Sequence, residues 1–216
     1  MSYIAGALTR ARHFDVPRPG VLGSVLVREM VAPLAFILAI LATNYALAGA
    51  PSVKFLDLLV FVAGYTLGFR RGVTVAIGAR LIYGTFNPWG IADPLLVVAM
   101  MMSEIVFSLA GAWLRSMVSP QSIRFIPGRK SLLFVAAAVV CTVTYDTLTN
   151  AYTGVVWSQM AGGKEYGRWL MIALFNPGAL LFSSVHVGSN VVFFGLFGPV
   201  IVKMVENGKS VFRLGL

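Results

Sequence analysis

The stretch FLDLLVFVAGYTLGFRRGVTVAIGARLIYGTF, residues 55–86, decides how this chain folds. Its two apolar runs, 55–69 and 72–86, are about 15 residues long, whereas a helix needs roughly 20 to cross a bilayer core of about 30 Å. Short helices of this kind are stable in a membrane only if they pack against other helices instead of lipid. The stretch therefore predicts two short Gly-rich helices held within a larger helical bundle.

The composition of the whole chain fits a membrane bundle. Of its 216 residues, 58% are hydrophobic and 12% are charged, whereas about 25% of the residues in a soluble domain are charged. We predict an all-α integral membrane protein with six transmembrane helices, short second and third helices, and a partly inserted segment before the sixth. The predicted spans are 27–48, 55–69, 72–86, 94–117, 131–157 and 183–205, and the partly inserted segment is 169–180.

The distribution of charge predicts the topology. The net charge is +9, but the 17 Lys and Arg residues lie in short clusters between apolar runs rather than in a nucleic-acid-binding patch. With the N-terminus in the cytoplasm, the loops outside the membrane contain only Lys54, Lys164 and Arg168, as the positive-inside rule requires. We therefore predict a multi-pass protein of the cell membrane with both termini cytoplasmic. A basic tail, a membrane domain and a C-terminal tail are predicted at 1–24, 25–205 and 206–216.

Two pairs of polar residues interrupt the apolar spans. Asp146 and Asn150 lie in TYDTLTNAYTG (144–154), and His186 and Asn190 lie in SSVHVGSN (183–190). Each pair has i, i+4 spacing and so occupies one helical face, and both pairs fall in the outer half of their spans. Ionisable residues within a membrane usually face the bundle interior or a water-filled cavity, so these four predict a binding pocket. The alternative is that they only form hydrogen bonds between helices.

Other polar and aromatic residues fall at the same outer depth. Asn44 and Asp57 lie there, and the loops NPWGIADP (87–94) and WSQMAGGKEYG (157–167) are rich in the Gly, Pro and aromatic residues that cover a ligand. An indole ring in these loops could stack on a ring of the ligand. The residues that complete the predicted substrate-binding site are Tyr83, Asn87, Trp89 and Trp157.

Arg80 and Glu104 lie nearer the midplane on neighbouring spans. Because an unpaired charge at that depth costs several kcal/mol, we predict that they form an ion pair. Alternatively, Glu104 lines the bottom of the pocket.

Small residues form two stripes that other helices could approach closely. Gly64, Gly68 and Gly72 are four residues apart and predict packing either within the bundle or against a partner. The first span carries a stripe of alanines, at Ala32, Ala35, Ala39, Ala42 and Ala46.

The motifs of common enzymes do not occur in the sequence. It has no phosphate-binding loop with Lys and Ser or Thr, no HExxH zinc motif and no GxSxG nucleophile turn. His186 is the one histidine outside the N-terminal tail, so a protein-ligated metal is not expected. We predict a binding protein that is not an enzyme and uses neither metal nor cofactor.

The chain resembles the substrate-binding S components of energy-coupling factor (ECF) transporters, which take up vitamins and other micronutrients. The resemblance covers about residues 25 to 205 and depends on the order and spacing of three motifs. They are PSVKFLDLLVFVAGYTLGFRRGVTVAIGARLIYGTFNPWG (51–90), YDTLTN (145–150) and NPGALLFSSVHVGSN (176–190).

This resemblance implies both a fold and a set of partners. Six helices would enclose an outward-facing site capped by the loops after helices one, three and five. The alanine stripe would dock onto a membrane coupling subunit that is driven by two cytoplasmic ATPases.

We therefore expect the substrate-binding subunit of an ATP-driven importer, with a vitamin or related micronutrient as its ligand. A small membrane scaffold or assembly protein is the first alternative, because the polar pairs could serve only to hold the bundle together. An autonomous channel or secondary carrier is the second.

Overall fold

The computed structural model describes residues 27–125 and 128–214, with side chains for 29–125 and 128–208. The predicted tail 1–24 lies outside the described residues. Within them all regular secondary structure is helical, with a π-helical turn Val27–Val31 before the first α-helix and a 3-10 turn Pro120–Ser122 after the fourth. The seven α-helices are α1 Ala32–Ala46, α2 Leu56–Leu67, α3 Phe69–Thr85, α4 Pro94–Met117, α5 Ser131–Met160, α6 Tyr166–Phe175 and α7 Pro177–Leu214.

Four helical segments are long and apolar enough to cross a membrane, as expected of an α-helical membrane protein. They are Glu29–Ala46, Pro94–Met117, Ser131–Met160 and Pro177–Gly208. Helix α2 is a shorter apolar helix of 12 residues, and α3 has 17 residues. Six spans would therefore require α2 and α3 to cross while shielded by the longer helices.

Helix α2 lies at the centre of the bundle. Residues 56–65 are all buried, and the helix packs against α1, α3, α4 and α7. At about 1.5 Å per residue α2 is roughly 18 Å long, so its ends would lie within a hydrocarbon core of about 30 Å. Enclosure by longer helices therefore explains how so short an apolar helix is accommodated. Helix α3 is less enclosed, because Ile77, Leu81 and Ile82 are exposed on one side.

Glycines allow α2 and α4 to cross in close contact. A Cβ atom at Gly64 would overlap the backbone of Ser108, and one at Gly111 would overlap the carbonyl oxygen of Phe61. The predicted glycine stripe thus packs within the bundle, since Gly72 also faces Ser108. Gly68 has a different role. Its φ of +91° ends α2 and allows α3 to begin at the next residue.

Four phenylalanines from four helices form the core beside α2. The ring of Phe61 lies 5.6 Å from that of Phe134 and 5.1 Å from that of Phe194, measured between centroids. Phe107 lies 6.1 Å from Phe194. These tilted and edge-on arrangements are favourable for aromatic pairs. They fix the mutual positions of α2, α4, α5 and α7 one turn below Asp57. Here the end of the bundle at which α2 begins is called the upper end.

The last helix begins earlier than the sequence indicated. The last span was predicted from residue 183, whereas α7 begins at Pro177. Asn176 caps it, because its Oδ1 accepts a hydrogen bond of 2.9 Å from the backbone N–H of Ala179. Proline is favoured in the first turn because its missing N–H needs no partner there. The helix continues to Leu214, so the predicted tail from 206 begins inside it.

Substituting alanine for Gly111 is expected to destabilise the protein by about 1–3 kcal/mol, because the new methyl group meets backbone that cannot move without separating α2 from α4. Unfolding by SDS in mixed micelles measures the change. Gly188→Ala is the matched control, since a Cβ at that helical glycine meets nothing within 4 Å. Equal stability of the two variants would contradict close packing at Gly111.

Candidate functional site

A group of polar side chains from five helices meets in the upper part of the bundle. Helix α2 contributes Asp57, α3 contributes Arg80, α4 contributes Glu104, α5 contributes two residues and α7 contributes two. We call this group the polar cluster: Asp57, Arg80, Glu104, Thr142, Asp146, His186 and Asn190.

Asp57 is the residue to which most of the polar cluster is bound. It lies in the first turn of α2 and is only 1% exposed. One carboxylate oxygen, Oδ2, accepts a hydrogen bond of 2.7 Å from Asn190 Nδ2 and lies 2.6 Å from His186 Nε2. The other, Oδ1, lies 3.5 Å from Arg80 Nη2. Asp57 thereby links the short central helix to α3 and α7.

His186 lies between two carboxylates. Its Nδ1 is 2.8 Å from Asp146 Oδ1, while Nε2 contacts Asp57. A neutral imidazole carries one N–H and can donate only one of these hydrogen bonds. Two short contacts to carboxylates therefore require one additional proton, held on the imidazole or on one of the acids. The ring of Tyr145 meets that of His186 edge-on at 5.7 Å, which fixes the orientation of the imidazole.

Arg80 and Glu104 form the predicted ion pair. Both Nε and Nη2 of Arg80 bind Glu104 Oε2, at 2.8 and 2.7 Å. The guanidinium carbon of Arg80 lies 4.9 Å from the centre of the Tyr145 ring, a cation–π distance. The pair is not isolated, because Arg80 also approaches Asp57. This ion pair is therefore part of the polar cluster rather than a separate structural element below it.

Asn190 orients the cluster from α7. Its side-chain Nδ2 donates to Thr142 Oγ1 at 2.8 Å as well as to Asp57, so both of its hydrogens are used. Asn190 is fully buried, and its Oδ1 has no hydrogen-bond partner. The i, i+4 spacing that paired it with His186 in the sequence places both side chains toward Asp57.

Every buried atom of the polar cluster that lacks a hydrogen-bond partner is an oxygen acceptor. These atoms come from α2, α4, α5 and α7, one from each helix. Burying an acceptor without a donor is costly, so such atoms commonly mark a site for water or a ligand. They are Asp57 Oδ1, Glu104 Oε1, Asp146 Oδ2 and Asn190 Oδ1.

The structure brings three of the four predicted polar residues together. Asp146, His186 and Asn190 share the polar cluster, whereas Asn150 lies half-buried one turn further along α5 and is outside it. Sequence reasoning did not assign Asp57 to the site, although it placed this residue at the correct depth. A single carboxylate at the start of an apolar helix too short to span alone was the signal that could have found it.

The four further residues assigned to the site lie outside the polar cluster. Tyr83 is buried with its ring 5.5 Å from that of Tyr45. Asn87 Oδ1 accepts a hydrogen bond of 2.9 Å from the backbone N–H of Trp89, which holds the turn after α3. The indole of Trp89 is 71% exposed, and that of Trp157 is 37% exposed. No stacking of these indoles over the cluster is seen in the described structure.

Two cavities among the described residues lie away from the polar cluster. One, of about 470 Å³, is at the lower end and is lined by Arg124, Arg129 and Lys130. The other, of about 420 Å³, lies against α6 between Arg168 and Asn176. The polar cluster is closed, because its charged groups contact one another directly. A ligand would therefore enter by separating these side chains.

The described residues contain no group of three or more His, Cys, Asp or Glu side chains arranged to hold a metal ion. Both ring nitrogens of His186 already face carboxylates. The contacts within the cluster are ion pairs and hydrogen bonds.

Comparison with protein-family models, with curated proteins and with solved structures finds no match to this chain.

Replacing Asp57 with alanine is expected to lower the free energy of unfolding by about 3–5 kcal/mol, because Arg80, His186 and Asn190 stay largely buried and each loses one of its partners. Unfolding by SDS in mixed micelles measures the loss.

Asp93→Ala is the control for Asp57→Ala. Asp93 is an exposed carboxylate that caps α4, and hydrogen bonds from Leu96 N and then from the Tyr152 hydroxyl lower its pKa. It is thus ionised at neutral pH but not buried, so its removal should cost much less. Losses of the same size in the two variants would mean that Asp57 does not organise the cluster.

Proposed function

We propose that this chain is the membrane-embedded substrate-binding subunit of an ATP-driven importer of the ECF type. It captures a vitamin or related micronutrient from outside the cell and delivers it inward with a coupling subunit and two ATPases. The observation that carries the proposal is the polar cluster, in which five helices bring together charged groups and four acceptor atoms that have no hydrogen-bond donor. Such groups inside a membrane protein are expensive, so they favour a functional role.

The proposed topology has six spans with both termini in the cytoplasm. Helices α2 and α3 cross as shielded helices, and α6 is the partly inserted segment. The upper end of the bundle then faces outward, as the scarcity of basic residues in its loops favours. Under this topology the polar cluster is reached from the outer leaflet, beneath the loops that follow α1, α3 and α5.

The exposed face of α1 supports the proposed partner. Ala35, Ala39, Ala42 and Ala46 are exposed, whereas Ala32 is half-buried against the core. Four small residues on one exposed face form a surface that another membrane helix can approach closely. We assign this face to contact with the coupling subunit.

A scaffold or assembly protein is the second candidate. The observation that favours it is the closure of the polar cluster, since direct contacts between its charged groups would also serve to hold helices together. A scaffold would retain no small molecule and would tolerate conservative changes in the cluster.

Asp146→Ala and Asn150→Ala are each expected to weaken ligand binding at least tenfold. The first substitution removes a carboxylate of which one oxygen has no hydrogen-bond partner. The second removes an amide that lies one turn above Asp146 on the same helical face. Mass spectrometry of molecules released from gently purified protein identifies the ligand, and calorimetric titration then compares the variants. Thermal unfolding shows whether each variant is folded. Wild-type affinity in both folded variants would remove these residues from the binding site.

Ala35→Trp with Ala39→Trp is expected to abolish co-purification with the coupling subunit, because two indoles prevent close approach along α1. Affinity capture of the tagged chain from its native membrane, followed by protein mass spectrometry, measures the association. Ala136→Trp is the matched control, since Ala136 is an exposed alanine on α5. An intact complex with the α1 variant would exclude this face as the contact surface.

A further inference from the structure

The charges of the polar cluster do not balance. Three carboxylates, those of Asp57, Glu104 and Asp146, face a single permanent cation, Arg80. Among the described residues, their remaining ionic partner is His186. With a neutral imidazole the cluster would carry a net charge of two negative units.

His186 compensates one of those units. Both nitrogens of His186 lie within hydrogen-bond distance of a carboxylate, so each of the two contacts needs a proton. A neutral imidazole supplies one of these protons, and the group of Asp57, His186 and Asp146 therefore holds one more. The position of that proton does not alter the sum. Counted with all three carboxylates ionised, three negative charges, one guanidinium and one added proton leave a formal charge of one negative unit on the cluster.

The four buried atoms that lack a hydrogen-bond partner have a single chemical character. Asp57 Oδ1, Glu104 Oε1, Asp146 Oδ2 and Asn190 Oδ1 can accept hydrogen bonds, and the three carboxylates have no hydrogen to donate when ionised. Asp57 Oδ1 has an ionic contact with Arg80 at 3.5 Å but no hydrogen bond. The orientation of the Asn190 amide is fixed, since its nitrogen faces a carboxylate and the Thr142 hydroxyl. A guest that satisfies these atoms must therefore bring several donors.

We propose that the ligand of the polar cluster is a small organic cation with a single positive charge carried on N–H groups, such as an ammonium or amidinium. This inference rests on the proposed function and specifies its substrate class. One positive charge neutralises the cluster, and N–H groups distributed around that charge supply the donors. An anionic ligand would add a second uncompensated charge in a region of low dielectric constant, where repulsion between like charges is strong.

Three probes of nearly equal shape and different charge test the proposal: benzamidinium, benzamide and benzoate. The full chain is purified into lipid nanodiscs, and binding of each probe is measured by calorimetric titration and by the shift in thermal unfolding. We expect benzamidinium to bind at least tenfold more tightly than benzamide and benzoate to show no binding. Failure of benzamidinium to bind, or equal or tighter binding of either other probe, would overturn the proposal.

Asp146→Asn and Glu206→Gln form a matched pair for this test. The first removes one charge from the cluster with little change in shape, and benzamidinium should bind at least tenfold more weakly to it. The second removes one charge near the lower end of the bundle, where Glu206 pairs with Arg115, and should leave binding unchanged. Equal effects of the two substitutions would show that the affinity for benzamidinium does not depend on the charge of the cluster.

The molecules released from the purified wild-type chain separate this proposal from the function on which it rests. Release of a cationic small molecule supports both. Release of a neutral or anionic molecule is consistent with the proposed importer but overturns the proposal that its ligand is a cation. Failure to detect any specifically retained molecule counts against the importer itself.

Discussion

The burial of Asp57 at the start of α2 is the interaction on which the rest of the structure depends. A carboxylate that is 1% exposed at the centre of a membrane bundle is stable only with cations and donors arranged around it. Arg80, His186 and Asn190 meet that requirement from α3 and α7. Their own remaining groups then need Glu104, Asp146 and Thr142, so a single buried charge determines which faces of five helices turn inward.

The length of α2 makes this arrangement possible. A 12-residue helix is too short to span a bilayer alone, and its complete enclosure allows a charged residue in its first turn to be surrounded by protein. Close approach at Gly64 and Gly111 brings α4 near enough for Glu104 to join the same cluster. Close packing of the α2 and α4 backbones is therefore what allows the polar cluster to form around Asp57.

Periodicity predicted much of this arrangement because it depends on local spacing. The i, i+4 pairs on α5 and α7 correctly indicated that Asp146, His186 and Asn190 share a depth, and charge balance indicated the contact of Arg80 with Glu104. The role of Asp57 depends on which helix lies at the centre, which the spacing of polar residues does not encode and only the short length of α2 indicates. The loops were harder still. Trp89 turns outward while Asn87 binds the backbone of its own turn, a local hydrogen bond that competes with any role in covering a ligand.

The level of Phe61 shows that helix packing here does not require charged residues throughout the bundle. There, four of the same five helices are held by the rings of Phe61, Phe107, Phe134 and Phe194, and these four residues carry no charge. Replacing buried ion pairs with apolar residues of similar volume is often neutral or stabilising. Packing of the helices alone does not require a polar cluster one turn above an apolar core, with an acceptor that lacks a hydrogen bond on each of four helices. This excess supports the proposed binding of a guest over simple adhesion between helices, because a bound guest, like water, would donate to acceptors that the helix contacts leave without a donor.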